Sequence, residues 1–377
     1  MAIDIHWIRD DDSLAQHCAQ WQTLPFVALD TEFMRVDTFF PIAALLQIGD
    51  GSRAYLIDPL LINDWKPLSA LLENTSVIKV VHACSEDLEV LLRLTGTLPV
   101  PLFDTQLAAA YLNLGFSMGY SRLVQEILNI ELPKGETRSD WLQRPLSETQ
   151  ISYAAEDAVH LAEVYSLLRP RLSDDKYAWV LEDGADLVAN LRRETDPYDA
   201  YRDAKLAWKL SRAQLAVMRE LCAWREQQAR LRNQPRNRVL REQSLWPLAK
   251  TQPDNLAALA KIEDMHPKTV RQDGEFLLEL IKKAGSVSPD LWPPALPEPL
   301  PIEASNVLKG LRSLGQQQAE RLDMAPELML RKKTLEALLK TGFPDGPYKL
   351  PDSLRGWRRE LMGQMLLDSL ANAGEQP

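Results

Sequence analysis

Asp30, Thr31 and Glu32 sit inside Val27-Ala-Leu-Asp-Thr-Glu-Phe33, a run whose apolar and β-branched content predicts a strand. In a strand, residues two apart project from the same face, so Asp30 and Glu32 share one side. Two carboxylates on a strand otherwise built from Val, Ala, Leu and Phe are costly unless something compensates their charge. A divalent cation would do so; a wet strand face is the alternative. A second pair lies at Tyr153 and Asp157, spaced to share one helix face. Its plain alternative is a tyrosine ring in the core and a surface aspartate. A further acid, Asp87, follows the apolar run Ile78–His82 at the opening of a helical pattern that starts at Ser85. The junction between a strand's carboxyl end and a helix is a common place for ligand groups. Asp104 reads more readily as a helix cap, and His82 and His160 are tempting bases that a carboxylate site does not need.

The elements that must hold these residues can be read around them. Strands are predicted at Val27–Phe33, Ala43–Ile48, Ala54–Asp58 and Ile78–His82, the first three as consecutive antiparallel hairpins with a turn at Gly49-Asp-Gly51. Helices are predicted near 68–73, from Ser85, and near 105–113, 120–129 and 147–168. Strands first and βα alternation afterwards imply a mixed sheet with helices. Beyond Pro170 the strand signals fade and helical periodicity takes over. Residues 291–301 contain five prolines and read as a semi-rigid linker. Leu240-Arg-Glu-Gln-Ser-Leu-Trp-Pro-Leu-Ala-Lys250 aligns with Leu330-Arg-Lys-Lys-Thr-Leu-Glu-Ala-Leu-Leu-Lys340, each with a proline a few residues upstream, Pro235 and Pro326. This internal repeat suggests two related all-helical modules. The expected divisions are 1–170, a helical connector 171–204, a helical domain 205–290, the linker 291–301 and a second helical domain 302–377.

Bulk properties narrow the function classes. The chain of 377 residues is 45% hydrophobic and 25% charged, ordinary for a folded protein, with a net charge of −10. Charge is uneven: residues 1–170 hold 11 Lys/Arg against 23 Asp/Glu, whereas residues 205–250 hold 11 against 3. An acidic front suits cations and a basic middle suits a polyanion, unless the latter is only a solvated helix face. Three widely spaced cysteines give neither a disulfide framework nor a cysteine zinc site. The N-terminus lacks the pattern of a signal peptide, and no apolar run approaches the roughly 18 residues of a membrane span. A cytoplasmic protein without a membrane partner is expected. No G-x-x-x-x-G-K-[ST] loop occurs.

Taken in order, the Asp-x-Glu strand, the later Asp and the Tyr-x-x-x-Asp helix resemble the DEDD superfamily of 3′→5′ exonucleases, in the subgroup whose last motif carries Tyr. Asp30 and Glu32 match the first motif, Asp87 the second, and Tyr153 with Asp157 the third. Leu45-Leu-Gln-Ile48, Lys134, Arg138-Ser-Asp-Trp141, Arg144-Pro-Leu146, Gln150 and Tyr153-Ala-Ala155 narrow the resemblance to the ribonuclease D family over residues 20–170. The helical repeat resembles the HRDC (helicase and RNase D C-terminal) modules of that family, the first closely and the second loosely.

This resemblance implies an α/β (α+β) multidomain protein: a ribonuclease H-like mixed-sheet exonuclease domain followed by two all-α HRDC-type modules. It implies a metal-dependent exoribonuclease that releases 5′-mononucleotides from RNA 3′ ends, with tRNA precursors as substrates, acting as a monomer. Two divalent ions, Mg²⁺ or Mn²⁺, suit phosphodiester hydrolysis, and both prefer the oxygen donors that Asp and Glu supply. Asp30 would serve both ions, Glu32 and Asp157 the one holding the attacking water, and Asp87 the other. Tyr153 would orient that water. Phe33 is either a core residue or a base-stacking one, and Lys134 and Arg138 either a solvated loop or phosphate contacts. Arg230, Arg232, Arg236 and Arg238, in the densest basic stretch, would contact RNA phosphates or form an exposed helix face. Two rivals stand beside this reading: a 3′→5′ DNA exonuclease using the same acids, and a non-catalytic RNA-binding protein on the same fold.

Overall fold

The computed structural model describes residues 3–133, 139–193 and 196–374, so Lys134 and Arg138 lie outside the described residues. The chain forms two compact units: Met1–Met34, Ile42–Arg192 and Leu300–Pro377 make the first, and Arg35–Pro41 with Arg193–Pro299 make the second.

The first unit is organised on six strands, β1 (Ile5–Ile8), β2 (Phe26–Met34), β3 (Ile42–Gly49), β4 (Ala54–Ile57), β5 (Ile78–Val81) and β6 (Leu102–Asp104). They lie in the order β1-β4-β3-β2-β5-β6. The β2–β3 and β3–β4 pairs are antiparallel, as the hairpin reading expected, and the other three pairs are parallel. The sheet is therefore mixed. Its outer strands β1 and β6, of four and three residues, were not foreseen. Nor was the helix α1 (Asp11–Trp21), which the Asp10 side chain caps through the Ser13 backbone N–H at 2.8 Å.

Alternation along β2 divides the core. Val27 and Leu29 pack with Leu14, Trp21, Leu68, Leu72, Leu88 and Leu91, which come from α1, α2 (Lys66–Glu73) and α3 (Ser85–Thr95). Ala28, between them, packs with the layer formed by α4 (Thr105–Tyr111), α5 (Tyr120–Leu128) and α6 (Glu148–Leu168). Asp30 and Glu32 continue this second face by the same period of two. On β5, Lys79 is wholly buried, and its ammonium donates to the carbonyls of Asn74, Val77 and Val100 at 2.7, 2.6 and 2.5 Å. It ties together the loops that enter the two parallel strands.

The helix α7 (Asp174–Arg192) packs against β6. The C-terminal helices α13 (Ala304–Arg321), α14 (Pro326–Met329), α15 (Lys332–Leu339) and α16 (Gly356–Gly374) also belong to the first unit. They share a hydrophobic core with α4, α6 and α7, and a buried ion pair adds to their attachment. Arg358 donates to both oxygens of Asp183 at 2.5 and 2.8 Å, and Tyr111 donates to the same carboxylate at 2.8 Å. The Trp357 and Trp179 rings stack beside it, 4.8 Å between centroids.

The second unit holds α8 (Arg212–Leu231), α9 (Arg236–Val239), α10 (Glu242–Thr251), α11 (Leu256–Leu259) and α12 (Pro267–Gly285) around a leucine-rich core. Phe39, from the excursion 35–41, is part of that core. The Asn233 side-chain oxygen accepts the backbone N–H groups of Phe39 and Phe40 at 3.1 and 3.0 Å. The repeated sequences become α10 and α15, each preceded by a four-residue helix, α9 or α14.

Candidate active site

Three carboxylates converge where β2 meets α6. One oxygen from each of Asp30, Glu32 and Asp157 lies within 4.8 Å of the others. Strand alternation supplies the first two, and α6 supplies the third. The helix begins with a capping box: the Ser147 hydroxyl accepts the Gln150 backbone N–H at 3.1 Å, and the Gln150 side chain accepts the Ser147 N–H at 2.9 Å. It then presents the small, buried residues Ala154, Ala155 and Ala158 to the sheet. The helix comes so close that a Cβ placed on Gly49 of β3 would sit 2.2 Å from the Ala158 carbonyl oxygen. Only glycine permits this approach, and the approach carries Asp157 to the β2 acids.

Asp87, in the first turn of α3, accepts a 2.5 Å hydrogen bond from the Thr31 hydroxyl. It stands outside the threefold cluster, but its charge bears on Asp30 and Glu32. Tyr153 lies one helical turn before Asp157, and its hydroxyl interacts with the Asp157 carboxylate. Its ring packs among Trp141, Leu45 and Ala154, with the Trp141 ring centroid 6.0 Å away. Tyr120, from α5, donates to the Asp157 carbonyl at 2.7 Å and fixes that turn of α6.

The electrostatics are those of crowded acids. Burial, and then the charges of Asp87, Asp157 and Glu32, raise the Asp30 carboxyl well above the usual range. Burial, and then Asp157 and Asp87, push Glu32 up to about 8. Burial lifts Asp157 to about 7, against the hydrogen bond from Tyr153. Burial likewise lifts Asp87 to about 6, against the bond from Thr31. Burial and the neighbouring carboxylates also drive the Tyr153 hydroxyl upward. A pocket that resists ionisation of its own acids is one that a cation would relieve. The donors are hard oxygens and the cluster contains no Cys or His, which fits Mg²⁺ or Mn²⁺ rather than a softer metal.

The other expected residues are placed as follows. Phe33 is half-buried and belongs to none of the hydrophobic clusters among the described residues, so it is not a core residue. The register slips after Glu32, where Phe33 pairs with Ala43 and Ala44 is left over, interrupting the simple alternation. Arg230 and Arg236 both pair with Glu226, Arg232 forks onto Asp273 at 2.6 and 2.9 Å, and Arg238 pairs with Asp37. The basic run is therefore largely neutralised within the second unit. Asp104 caps α4 through the Gln106 N–H at 2.8 Å. The ring Nδ1 of His82 bonds Thr105 and that of His160 bonds Glu163, and neither histidine is in the carboxylate cluster.

Two supporting residues were assigned no role from the sequence, although Arg144 lies in one of the matching motifs. Thr31 faces away from Asp30 in the strand yet anchors Asp87; a hydroxyl between two acids was its only signal. Arg144 forks onto Asp58 at 2.7 Å through Nε and Nη2 and donates to the bulged Ala44 carbonyl at 2.7 Å. It braces the strand opposite Glu32.

Comparison with known proteins places the chain in a family. Residues 5–173 match the 3′–5′ exonuclease family, and residues 214–281 match the HRDC domain family. The chain is 68% identical to ribonuclease D of Pseudomonas paraeruginosa over 99% of both chains. It is 37% identical to ribonuclease D of Escherichia coli over 95% of this chain and 96% of that one. The crystal structure of Escherichia coli RNase D, an exoribonuclease involved in structured RNA processing, superposes with a TM-score of 0.89 at 35% identity, covering 99% of both chains. Among the described residues no helix is long and apolar enough to cross a membrane. With a mixed-sheet exonuclease domain, an HRDC domain and relatives matched from end to end, the chain belongs to the ribonuclease D family of 3′→5′ exoribonucleases.

Proposed function

We propose that Asp30, Glu32, Asp87 and Asp157 hold two divalent cations, Mg²⁺ or Mn²⁺, and that the chain trims tRNA precursors from their 3′ ends, releasing 5′-mononucleotides. The observation that carries this reading is the convergence of the Asp30, Glu32 and Asp157 oxygens within 4.8 Å. When bound, such ions supply Lewis acidity to the phosphoryl oxygens and acidify a coordinated water. Asp30, flanked by the other acids, serves both ions. Glu32 and Asp157 serve one, and Asp87, steadied by Thr31, serves the other.

Tyr153 orients the attacking water. Its hydroxyl is kept protonated by burial and by neighbouring negative charge, so it acts as a hydrogen-bonding group rather than as a base. Phe33 stacks on a base near the 3′ end. Lys134 and Arg138 contact RNA phosphates. Arg230, Arg232, Arg236 and Arg238 engage the RNA backbone with the donors that their carboxylate partners leave free. The protein works as a monomer in the cytoplasm.

The test is a time course on 5′-labelled tRNA precursor and on DNA of the same sequence, with Mg²⁺, Mn²⁺ or EDTA. Stepwise shortening of RNA that stops near the mature end, is abolished by EDTA and is lost in Asp30→Asn is the expected result. Turnover by a clean Asp30→Asn preparation would overturn the metal assignment. Preferential shortening of DNA would overturn the substrate, and RNA bound without shortening would leave only a binding role.

A further inference from the structure

Gln47 lies in the middle of β3 and is fully buried, yet neither its amide oxygen nor its amide nitrogen has a hydrogen-bond partner. A primary amide brings two donors and an acceptor into the core. Burying them unpaired carries a desolvation penalty with no return, and each such group in a native fold calls for an explanation. An apolar side chain of the same size would fit this position at no such cost.

Its position says what the amide is for. In the antiparallel β2–β3 pair Gln47 lies directly opposite Asp30, so the two side chains leave the sheet on the same face. Opposed Cβ atoms stand about 4.5–5.5 Å apart, which puts the amide within reach of the Asp30 carboxylate. Gly49, two residues along on that face, meets the Ala158 carbonyl of α6, so the helix that carries Asp157 closes over the strand here. Gln47 is thus enclosed behind the carboxylate cluster. The indole nitrogen of Trp141, whose ring backs Tyr153, is a second buried donor without a partner beside the same site.

We propose that Gln47 is a positioning residue: its side-chain amide, unpartnered here, becomes the donor to the Asp30 carboxylate when that carboxylate turns toward a divalent cation, and holds it in that orientation. A carboxylate that turns one oxygen to a cation keeps lone pairs for a donor behind it, and such supporting bonds are a general feature of metal sites. Gln47 touches neither RNA nor metal; it acts through Asp30. The inference rests on the assignment of Asp30 to the metal site.

The test measures Mn²⁺ binding by the full-length chain without RNA, from the electron paramagnetic resonance signal of free Mn²⁺, together with the thermal midpoint of the metal-free protein. Gln47→Met, close in volume and apolar, is expected to weaken Mn²⁺ binding by about 10–100-fold and to leave the metal-free midpoint equal to or above that of the unsubstituted chain. Gln47→Leu serves as a second variant. Unchanged Mn²⁺ affinity in a folded variant would overturn the proposal. A lower metal-free midpoint in both variants, or failure of both to fold, would also overturn it by making Gln47 a structural residue. Asp30→Asn runs in parallel: if that variant keeps Mn²⁺ affinity, the metal assignment itself has failed, whereas loss there with none in Gln47→Met removes only the role of Gln47.

Discussion

At the scale of single residues, the acidic cluster stores repulsion that a cation would release. Each of its carboxyls keeps its proton to a higher pH in the folded chain than its free value near 4 allows. A group raised in this way stabilises the fold fully below its unfolded pKa, and that stability is lost as the pH rises through the folded values. Here the loss begins near 4 and continues through the folded value of Glu32, about 8, with Asp30 raised in the same direction. The metal-free protein should therefore lose thermal stability from pH 5 to pH 8. The rise in midpoint on adding Mn²⁺ should be larger at pH 8 than at pH 6, as differential scanning fluorimetry would read it. A Mn²⁺ effect independent of pH would contradict the cluster. Asp30, Glu32, Tyr153 and Asp157 were legible because each pair obeys a fixed backbone period. Asp87 had no period to betray it and needed the order of the motifs. Arg232 and Arg238 of the second unit were legible as charge but not as ion pairs. Their partners Asp273 and Asp37 are remote in sequence, and only the fold brings them near.

At the scale of elements, the site depends on how closely α6 can approach β3. Gly49→Ala would force its Cβ onto a backbone oxygen that cannot rotate away. The helix must shift, and overpacking of this kind costs about 1–3 kcal/mol. A displacement near 1 Å at Asp157 is expected to lower kcat by about 100-fold. Denaturant unfolding and single-turnover RNA cleavage would check both, and a variant with full activity would show that the helix approach does not govern the site. The antiparallel strands and the long helices could be read because hairpin turns and helical periodicity are local signals. The strands β1 and β6 could not. The three residues of β6 are too few to establish a period, and it is a strand only because β5 lies beside it. Lys79 shows the same limit: a lysine in a strand reads as an outward residue, whereas here three carbonyls from two loops enclose it.

At the scale of the molecule, the last 78 residues, Leu300–Pro377, cohere with the exonuclease sheet. The sequence repeat made the helical pattern of this segment visible but not its docking, because a buried face looks alike whichever surface covers it. Arg358 is the anchor. Removing it leaves the Asp183 carboxylate buried with Tyr111 as its remaining donor. Breaking a buried pair from one side costs about 3–5 kcal/mol, so Arg358→Met should lower the unfolding midpoint sharply. The double variant Arg358→Met with Asp183→Asn should recover part of that loss. Equal stability of Arg358→Met and the unsubstituted chain would remove the anchor.

The excursion of residues 35–41 gives the molecule an interleaved covalent plan. The backbone passes from one unit to the other four times, after Met34, Pro41, Arg192 and Pro299. A protease that severs the chain near residue 193 and again within residues 291–301 would release no free helical unit. Phe39 would stay lodged among helices to which no peptide bond then joined it. The fragments should therefore travel together through native gel filtration and part only in denaturant. What holds for a protease holds for recombination as well: neither unit can be inherited, lost or exchanged as one uninterrupted stretch of gene.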